Sequence, residues 1–372
     1  AVAGPASRPL RRGRPERGPG LARRHPEGAG RMKILLSGFG VVGKAVIQLI
    51  EEQRSKLYSE HGLSPSFVGV IDSKGAAIDP RGLDTSLLLE TKEKQGSVGA
   101  MPAHGIRDAK ELDIIAESEA QLLVEATPTT VRTPGPSLER LKAAFRTGKH
   151  VICVNKAPLA VAFPVLQELS RHNRCEFRYS GTVGGGTPIL SLAEEVGRGS
   201  EIVAVRAILN GTTNFILTKM DREGWDFDTA LKEAQRLGYA EADPSADVDG
   251  IDTATKVVIL ANGVLGRPCT ISDVKIEGIR GVTKARIEAA RKAGQAVKLI
   301  ARIASDDLSV APREVAADAP INVGGSLNCL SLELKTGGEV SLIGRGAGGP
   351  ETATAILRDL IDIWHSVESH RT

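Results

Sequence analysis

The sequence from residue 32 onward alternates short apolar runs with segments of helical periodicity. Four runs have the length of buried strands: "ILL" (34–36), "FVGVID" (67–72), "LLVEA" (122–126) and "HVICV" (150–154). Between the last two runs, Leu138, Leu141 and Phe145 repeat at helical spacing, and Gly148 is a fitting end for that helix. Strands that alternate with helices predict an α/β fold built on a parallel, doubly wound sheet.

The first apolar run leads into a glycine-rich turn and then a helix, which is the order of elements in dinucleotide-binding folds. Its GxGxxG spacing allows a tight turn, close approach of a pyrophosphate and close packing of helix on strand. The helix N-terminus adds partial positive charge for the anion. We therefore predict a Rossmann-type domain, with a glycine turn in another α/β protein as the alternative. The predicted cofactor contacts are Gly38, Phe39, Gly40, Val41, Val42 and Gly43.

Polar residues follow the later strands, at the sheet edge where ligands of such folds bind. Asp72 ends the second run and would accept hydrogen bonds from an adenosine ribose, whereas Lys74 would bind a 2′-phosphate. These two residues leave NAD and NADP both open. Thr127 and Lys156 follow the next two runs and are predicted to lie beside the cofactor, with a solvated surface charge as the alternative for Lys156.

Two segments of the middle third admit a structural or a functional interpretation. Residues 181–186 contain four glycines, which would form a tight turn or wrap carbonyl oxygens around a monovalent cation. The turn "NGTT" precedes a helical segment, so Asn210, Thr212 and Thr213 are candidate N-caps. They could equally present hydroxyl groups and a helix N-terminus to a substrate carboxylate.

The segment "GYAEADPSADVDGIDTATK" (238–256) is the main candidate for a reaction centre. Asp252 and Lys256 stand four residues apart on one face of a predicted helix, where an exposed ion pair is the ordinary explanation. Residues 257–260 are all apolar, however, which indicates a buried helix. A lysine at its start, below a loop with Glu241 and Asp247, would face a crevice, and buried lysines suit acid–base chemistry.

Composition and charge narrow the class of protein. Of the formal net charge of +3, residues 1–31 hold +6, which leaves −3 for the rest and no long basic face for nucleic acid. Residues 1–31 also have five prolines, six glycines and no Ile, Phe, Tyr or Trp, so we expect a disordered arm, an artefact upstream of Met32 or a targeting segment. Four scattered cysteines and the lack of a membrane-length apolar run are expected of a cytoplasmic protein.

Seven motifs in residues 32–372 resemble the homoserine dehydrogenase family and follow its order. They are "GFGVVG", "VEATPTT", "GKHVICVNKAPLA", "GTVGGGTPI", "ILNGTTNFIL", "LGYAEADPSADVDGIDTATK" and "GRGAGGPETATAILRDLI". The resemblance implies reversible NAD(P)H-dependent reduction of L-aspartate 4-semialdehyde to L-homoserine in threonine, methionine and isoleucine biosynthesis. It implies a short form, without an aspartate kinase or a regulatory ACT domain. The alternatives are a related oxidoreductase for another small aldehyde or amino acid, and a non-catalytic nucleotide-sensing protein.

The resemblance also implies roles for individual residues. Lys256 resembles the acid–base residue, and Asp252 its partner in positioning the substrate. The implied substrate contacts are Gly238, Glu241, Asp247 and Asp252, and the implied cofactor contacts beyond the glycine turn are Thr127, Lys156 and Gly348. The carbonyls of Ser180, Val183, Gly185 and Thr187 resemble a sodium-binding turn, in which some members have an acid where this chain has Ser180.

The family fold implies two domains. Residues 32–160 together with 340–372 would form the dinucleotide-binding domain, to which the C-terminal helix returns. Residues 161–339 would form an α+β domain for substrate binding and dimerisation. We therefore expect a homodimer that binds a small-molecule substrate, with no nucleic-acid or membrane partner.

Overall fold

The computed structural model describes residues 30–129 and 135–370. Residues 1–29, 130–134 and 371–372 lie outside the described residues, and so does almost all of the predicted N-terminal arm. The first element is strand β1, which begins at Arg31. None of the helices in the described ranges is both long enough and apolar enough to cross a membrane.

Seven strands form the first sheet, and their order fixes where a ligand can bind. They are β1 (Arg31–Ser37), β2 (Ser64–Asp72), β3 (Gly75–Ile78), β4 (Gly105–Arg107), β5 (Leu122–Glu125), β6 (His150–Cys153) and β7 (Phe177–Arg178). The order is β4-β3-β2-β1-β5-β6-β7. Neighbouring strands from β2 through β1, β5 and β6 to β7 pair in parallel, whereas β3 and β4 form an antiparallel edge beside β2. The chain winds outward in opposite directions from β1 and β5, so a crevice opens beyond their carboxyl ends.

The second sheet is largely antiparallel. Its strands are β8 (Ile202–Ile208), β9 (Lys275–Ile276), β10 (Gln295–Ala304), β11 (Asp307–Ala316), β12 (Leu327–Leu334) and β13 (Gly338–Arg345). Their order is β13-β12-β8-β10-β11-β9, and only β9 and β11 pair in parallel. The predicted combination of a doubly wound parallel sheet with an α+β unit is therefore confirmed.

Twelve helices cover the two sheets in the described ranges. They are α1 (Val41–His61), α2 (Thr85–Gln95), α3 (Glu111–Glu117), α4 (Gly135–Arg146), α5 (Lys156–His172), α6 (Ile189–Gly199), α7 (Gly211–Glu223), α8 (Phe227–Arg236), α9 (Ser245–Val248), α10 (Ile251–Gly263), α11 (Lys284–Lys292) and α12 (Gly349–Ser369). One hydrophobic core joins α1 and α12 to the first sheet, and another extends from its opposite face, through α4 and α5, to the second sheet.

The C-terminal helix returns to the first sheet, as predicted. Ile356, Leu360 and Trp364 of α12 are buried in the same core as α1, and Trp364 Nε1 donates to the carbonyl of His61 (2.8 Å). Both expected domain limits fall within an element. The limit at residue 160 lies inside α5, and β7 after it still pairs with β6 of the first sheet. The limit at residue 340 lies inside β13, which pairs with β12 of the second sheet. The return to the first sheet thus begins after Arg345.

Helix α10 is the element that joins the two parts of the fold. Residues 253–262 are all buried, as the apolar pattern after Lys256 predicts. The helix packs against α5 on one side and against β10 and β11 on the other. Its first two turns, with Asp252 and Lys256, therefore lie at the junction between the first sheet and the second.

Candidate active site

The glycine turn forms an open cradle at the N-terminus of α1. A Cβ on Gly38, whose φ is +99°, would lie 2.5 Å from the carbonyl carbon of Ala126, so only glycine fits there. A Cβ on Gly40 would meet no atom within 4 Å, so space remains beside the turn. Helix α1 has no side-chain cap and no acidic residue in its first turn. Its first amide groups are therefore available to an anion such as a dinucleotide pyrophosphate.

The second glycine-rich segment, residues 346–349, lies against the same turn. A Cβ on Gly349 would lie 2.6 Å from Val41 Cγ1, so the N-termini of α12 and α1 are adjacent. Gly348 precedes α12 with a φ of +137°, a conformation that favours glycine. Phe39 is buried beneath the turn, whereas Val41 is 72 % exposed and Val42 is half-buried. The predicted cofactor residues of both segments thus meet at one edge of the first sheet.

Asp72 ends β2 as predicted, but both oxygens of its carboxylate already accept hydrogen bonds from within the protein. One oxygen accepts hydrogen bonds from the Lys74 amide (2.9 Å) and the Ser97 hydroxyl (2.9 Å). The other accepts from Lys92 Nζ (2.7 Å) and the Val98 amide (2.9 Å). Burial raises the pKa of Asp72, but these hydrogen bonds, led by that of Lys92, outweigh it and hold the pKa below its ordinary value.

Thr127 and Lys156 are brought together at the carboxyl ends of β5 and β6. Asn155 caps α5, and its Nδ2 donates to Thr127 Oγ1 (3.1 Å) and to the carbonyl of Pro128 (3.1 Å). The amide of Lys156 donates to Thr129 Oγ1 (3.2 Å). The loop after β5 is therefore fastened to the N-terminus of α5, directly beside the glycine turn.

Asp252 lies between two lysines that come from different parts of the fold. Lys256 is 7 % exposed, and its Nζ donates to Asp252 Oδ2 (2.6 Å) and to the carbonyl of Leu209 (2.6 Å). Lys156 Nζ lies 3.4 Å from Asp252 Oδ1. Burial raises the pKa of Asp252, but the attraction of the two ammonium groups outweighs it and holds the pKa well below the usual range. The carboxylate is therefore ionised and fixes both lysines.

Asn210 connects this cluster to a second acid. Its Nδ2 donates to Asp252 Oδ2 (3.0 Å) and to Asp247 Oδ1 (2.6 Å), while its Oδ1 accepts from the Thr213 amide (2.9 Å) as the N-cap of α7. Burial, together with the nearby Asp252 carboxylate, raises the pKa of Asp247. The capping role follows from the sequence, whereas the bridge between the two carboxylates depends on contacts that the sequence pattern does not reveal.

Gly238 and Glu241 lie on the exposed segment between α8 and α9. Gly238 has a φ of +77°, and a Cβ there would meet no atom within 4 Å. The Glu241 side chain is exposed and makes no hydrogen bond or ion pair with the described residues, although its carbonyl accepts from Gln235 Nε2 (3.1 Å). The structure thus leaves the Glu241 carboxylate free, without contact to the Lys256 cluster.

The predicted cation turn joins β7 to α6. The Ser180 amide donates to Asp359 Oδ2 (3.0 Å), and the carbonyl of Thr187 accepts one hydrogen bond from the start of α6. No hydrogen bond found between described residues outside helices and strands ends on the carbonyl of Val183 or Gly185. The described ranges contain no group of three or more His, Cys, Asp or Glu side chains suited to a metal. A cation at this turn would therefore be held by carbonyl oxygens.

Comparison with known proteins agrees with this geometry. A family model described as homoserine dehydrogenase matches residues 188–361, and one described as Glutamate/Leucine/Phenylalanine/Valine dehydrogenase matches residues 22–131. The homoserine dehydrogenase of Methanocaldococcus jannaschii is 44 % identical over 340 residues, which cover 91 % of this chain and 100 % of that protein. The NAD(+)-dependent homoserine dehydrogenase of Pseudomonas canavaninivorans is 38 % identical, with 90 % of this chain and 96 % of that protein covered.

A solved structure is similar over the same extent. A hyperthermophilic archaeal homoserine dehydrogenase in complex with NADPH has a TM-score of 0.79 to this chain at 30 % identity, covering 90 % of this chain and 98 % of that one. Similarity that extends over both sheets, at this identity, decides against an oxidoreductase of another family. The chain belongs to the homoserine dehydrogenase family.

Proposed function

We propose that Lys256 is the acid–base residue of the reaction and that Asp252 and Asn210 hold it in place. The protein is an NAD(P)-dependent oxidoreductase that interconverts L-homoserine and L-aspartate 4-semialdehyde, a step of threonine, methionine and isoleucine biosynthesis. One observation carries the assignment of Lys256. Its buried ammonium group uses two of its three N–H donors on Asp252 and the carbonyl of Leu209, which leaves the third for a ligand.

The protein's contribution to the chemistry is proton transfer and orientation, while the bound dinucleotide supplies the two-electron redox step. In the reducing direction, the Lys256 ammonium gives a proton to the carbonyl oxygen of the semialdehyde, directly or through one water. In the oxidising direction, neutral Lys256 takes the proton of the homoserine hydroxyl. Asp252 and Leu209 keep the nitrogen in one place, so that the proton travels a short, defined path.

We propose that Lys156 and Thr127 contact the cofactor, together with the glycine turn and Gly348. Lys156 Nζ lies 3.4 Å from Asp252 Oδ1 and forms an ion pair without a hydrogen bond. The Lys156 side chain therefore remains able to reach a ligand. The Lys156 amide is held by the loop after β5. The same residue therefore lies at both the cofactor edge and the catalytic carboxylate.

We propose that Glu241 binds the ammonium group of the substrate and that Asp247 and Gly238 line the same site. The Glu241 carboxylate is exposed and has no partner among the described residues, so it can form a charge-assisted hydrogen bond. Asp247, in contrast, is already bound by Asn210 Nδ2 (2.6 Å), and burial and the Asp252 carboxylate raise its pKa. Glu241 would then supply the charge, and Asp247 a hydrogen bond.

The test is the variant Lys256→Met, which keeps the length of the side chain and removes the ammonium group. We expect kcat to fall about 10²–10⁴-fold, the usual contribution of acid–base catalysis, with the Kd for NADPH unchanged. Lys149→Met is the matched control, because Lys149 is 4 % exposed and donates only to the Ala116 carbonyl and Thr147, away from the site. A kcat near that of the parent in Lys256→Met would remove the proposal.

We propose that the protein prefers NADP(H). All four hydrogen bonds of the Asp72 carboxylate come from within the protein, so a ribose hydroxyl would have to displace one of them. Lys74 is exposed, and its ammonium group makes no hydrogen bond or ion pair with the described residues. A free cation two residues beyond β2 suits a 2′-phosphate.

We propose that the turn with Ser180, Val183, Gly185 and Thr187 binds a sodium ion through its carbonyl oxygens. The unused carbonyls of Val183 and Gly185 support this proposal, because an ion would complete their coordination. Thermal unfolding in sodium chloride and in choline chloride at equal ionic strength tests it. We expect a higher Tm in sodium, and equal Tm values would contradict the proposal.

We propose that residues 189–345, from α6 to the end of β13, form the substrate and dimerisation domain of a cytoplasmic homodimer, with 32–178 and 346–372 as the dinucleotide-binding domain. One face of the second sheet supports this, since Arg302, Arg206, Ser331 and Ser341 are paired in a row across four strands. Ile343, on the same face as Ser341, is 49 % exposed. Light scattering of the parent and of Ile343→Asp tests the dimer, and we expect only the variant to be monomeric.

A further inference from the structure

A carboxylic acid is buried at the carboxyl end of the central strand β5. Glu125 is 0 % exposed. Its Oε1 accepts hydrogen bonds from the Thr127 hydroxyl and the Thr127 amide (3.3 Å), while its Oε2 has no partner among the described residues. A buried carboxyl group is costly unless its interactions compensate for the loss of water. Both hydrogen bonds to the Glu125 carboxyl group come from Thr127, a proposed cofactor contact.

The charged and polar groups around Glu125 come from four elements. Arg140 of α4 places NH1 3.7 Å from Glu125 Oε1 and also binds Glu111 of α3 (Nε–Oε2, 2.6 Å). Ser37 ends β1 and Cys153 ends β6, both paired directly with Glu125 in the sheet. Burial raises the pKa of Glu125, and Arg140 opposes this effect. The pKa stays above its ordinary value in spite of the arginine, because the carboxyl group has no exposed surface.

Two hydrogen bonds, the peptide bond from Asn155 to Lys156 and one ion pair connect Glu125 to the proposed catalytic centre. The Thr127 hydroxyl donates to Glu125 and accepts from Asn155 Nδ2 (3.1 Å). Asn155 caps α5, whose first residue is Lys156, and Lys156 Nζ lies 3.4 Å from Asp252. Since a hydroxyl has one proton, the acceptor at Glu125 decides which way the Thr127 hydroxyl points. That orientation leaves a lone pair for Asn155.

We propose that Glu125 is a positioning residue, which fixes the loop of residues 126–129 against the N-terminus of α5. Glu125 is the last residue of β5 and has no exposed surface, so it would act on a bound ligand only through Thr127 and Lys156. The proposal rests on the proposed cofactor contacts of these two residues. Without the acceptor, the Thr127 hydroxyl turns away from Asn155, and the loop and Lys156 lose their fixed geometry at the cofactor.

The experiment compares Glu125→Leu, which removes the acceptor at similar volume, with Glu125→Gln, which keeps one acceptor oxygen. Leaving a buried hydrogen-bonding group without its partner corresponds to roughly a 5- to 100-fold change in an equilibrium constant. We expect Glu125→Leu to raise the Kd for NADPH about tenfold or more and to lower kcat about tenfold. Glu125→Gln is expected to recover most of both losses.

A merely structural role predicts another result. Both variants would then lose stability in urea, while Kd and kcat of the folded protein stay at the parent values, and this outcome would overturn the proposal. Should Glu125→Leu not fold, Glu125→Asp carries the test, because its shorter side chain withdraws the acceptor from Thr127 and is expected to raise the Kd in the same way. Parent values in Glu125→Asp would then overturn the proposal.

Thr127→Val separates this inference from the function on which it rests. If Thr127→Val binds NADPH as the parent does, Thr127 is no cofactor contact, and both the contact and the positioning role of Glu125 are lost. If Thr127→Val weakens NADPH binding while Glu125→Leu does not, only the positioning role fails. Weaker binding in both variants, with recovery in Glu125→Gln, supports the proposal.

Discussion

Asp359 in α12 offers a stability experiment that depends on a single buried acid. Its side chain is 1 % exposed, and its Oδ2 accepts from the Ser180 amide (3.0 Å) at the start of the proposed cation turn. Burial raises the pKa of Asp359 from 3.8 to about 7 and outweighs the opposing hydrogen bonds from Ser180. Asp362 adds a further rise, and Arg178 a smaller opposing effect. The substitution Asp359→Asn keeps an acceptor for Ser180 and removes the titration.

The sign and size of the effect follow from proton linkage. Between pH 4 and 7 the folded protein keeps a proton on Asp359 that the unfolded chain has released, so stability falls as the pH rises through this window. The difference between the two pKa values corresponds to a total loss of about 4 kcal/mol above pH 7. About 3 kcal/mol of this loss occurs between pH 5 and pH 8. Asp359→Asn avoids all of it.

Urea unfolding of the parent and the variant at pH 5 and pH 8 measures this difference. We expect the stability of Asp359→Asn relative to the parent to increase by about 3 kcal/mol from the lower to the higher pH. Glu52→Gln is the matched control, since Glu52 is an exposed acid of the adjacent helix α1, and its effect is expected to stay within about 0.5 kcal/mol at both pH values. A stability difference for Asp359→Asn that is the same at pH 5 and pH 8 would refute the reasoning.

Three further predictions concern the cofactor and the catalytic cluster. Gly38→Ala is expected to lose both stability and NADPH affinity, because its Cβ would lie 2.5 Å from the carbonyl carbon of Ala126. The Cβ of Gly40→Ala would meet no atom within 4 Å, so this variant should lose NADPH affinity alone. Urea unfolding and NADPH titration distinguish the two results. Lys74→Met is expected to raise the KM for NADPH about tenfold and to leave that for NADH unchanged, which steady-state kinetics would show. Asp252→Asn leaves two ammonium groups without their carboxylate and is expected to cost about 3–5 kcal/mol in urea unfolding, with loss of turnover.

The sequence predicts the centre of the first sheet well and its edge poorly. The apolar runs correspond to β1, β2, β5 and β6, because strands buried on both faces consist of apolar residues throughout. The strands β3 and β4 have four and three residues, and all three residues of β4 are exposed. Such short edge strands carry no apolar period, so their pairing depends on neighbouring strands rather than on their own composition.

The proposed catalytic pair is predictable from the sequence because it is local. Asp252 and Lys256 lie four residues apart on one helix, and the apolar residues after them indicate burial. The contacts of Lys256 with Leu209 and of Asp252 with Lys156 join segments that are far apart in the sequence. Their formation depends on how α10 packs between the two sheets, and no local pattern encodes this.

Asp72 also shows that a local sequence pattern does not encode tertiary contacts. Its place at the end of β2 predicts a ribose contact, and the strand does end there. Its hydrogen-bond partners Lys92, Ser97 and Val98 come from the end of α2 and the residues that follow, which lie 20 or more positions later in the chain. A position at a strand end thus predicts where a carboxylate lies, but its availability to a ligand depends on tertiary contacts.

The unequal distances around Asp252 determine how the two lysines can divide the work. Lys256 is hydrogen-bonded to Asp252 at 2.6 Å and has a second acceptor in Leu209, so both of its bonds fix the nitrogen that we propose as the proton donor. Lys156 is attracted at 3.4 Å without a hydrogen bond, and its side chain is 24 % exposed. A ligand can therefore draw Lys156 toward the cofactor at little cost, while Lys256 stays in place. One carboxylate thus holds the proposed proton donor rigidly and leaves the neighbouring cation adaptable, which suits a site that binds both a dinucleotide and a small substrate.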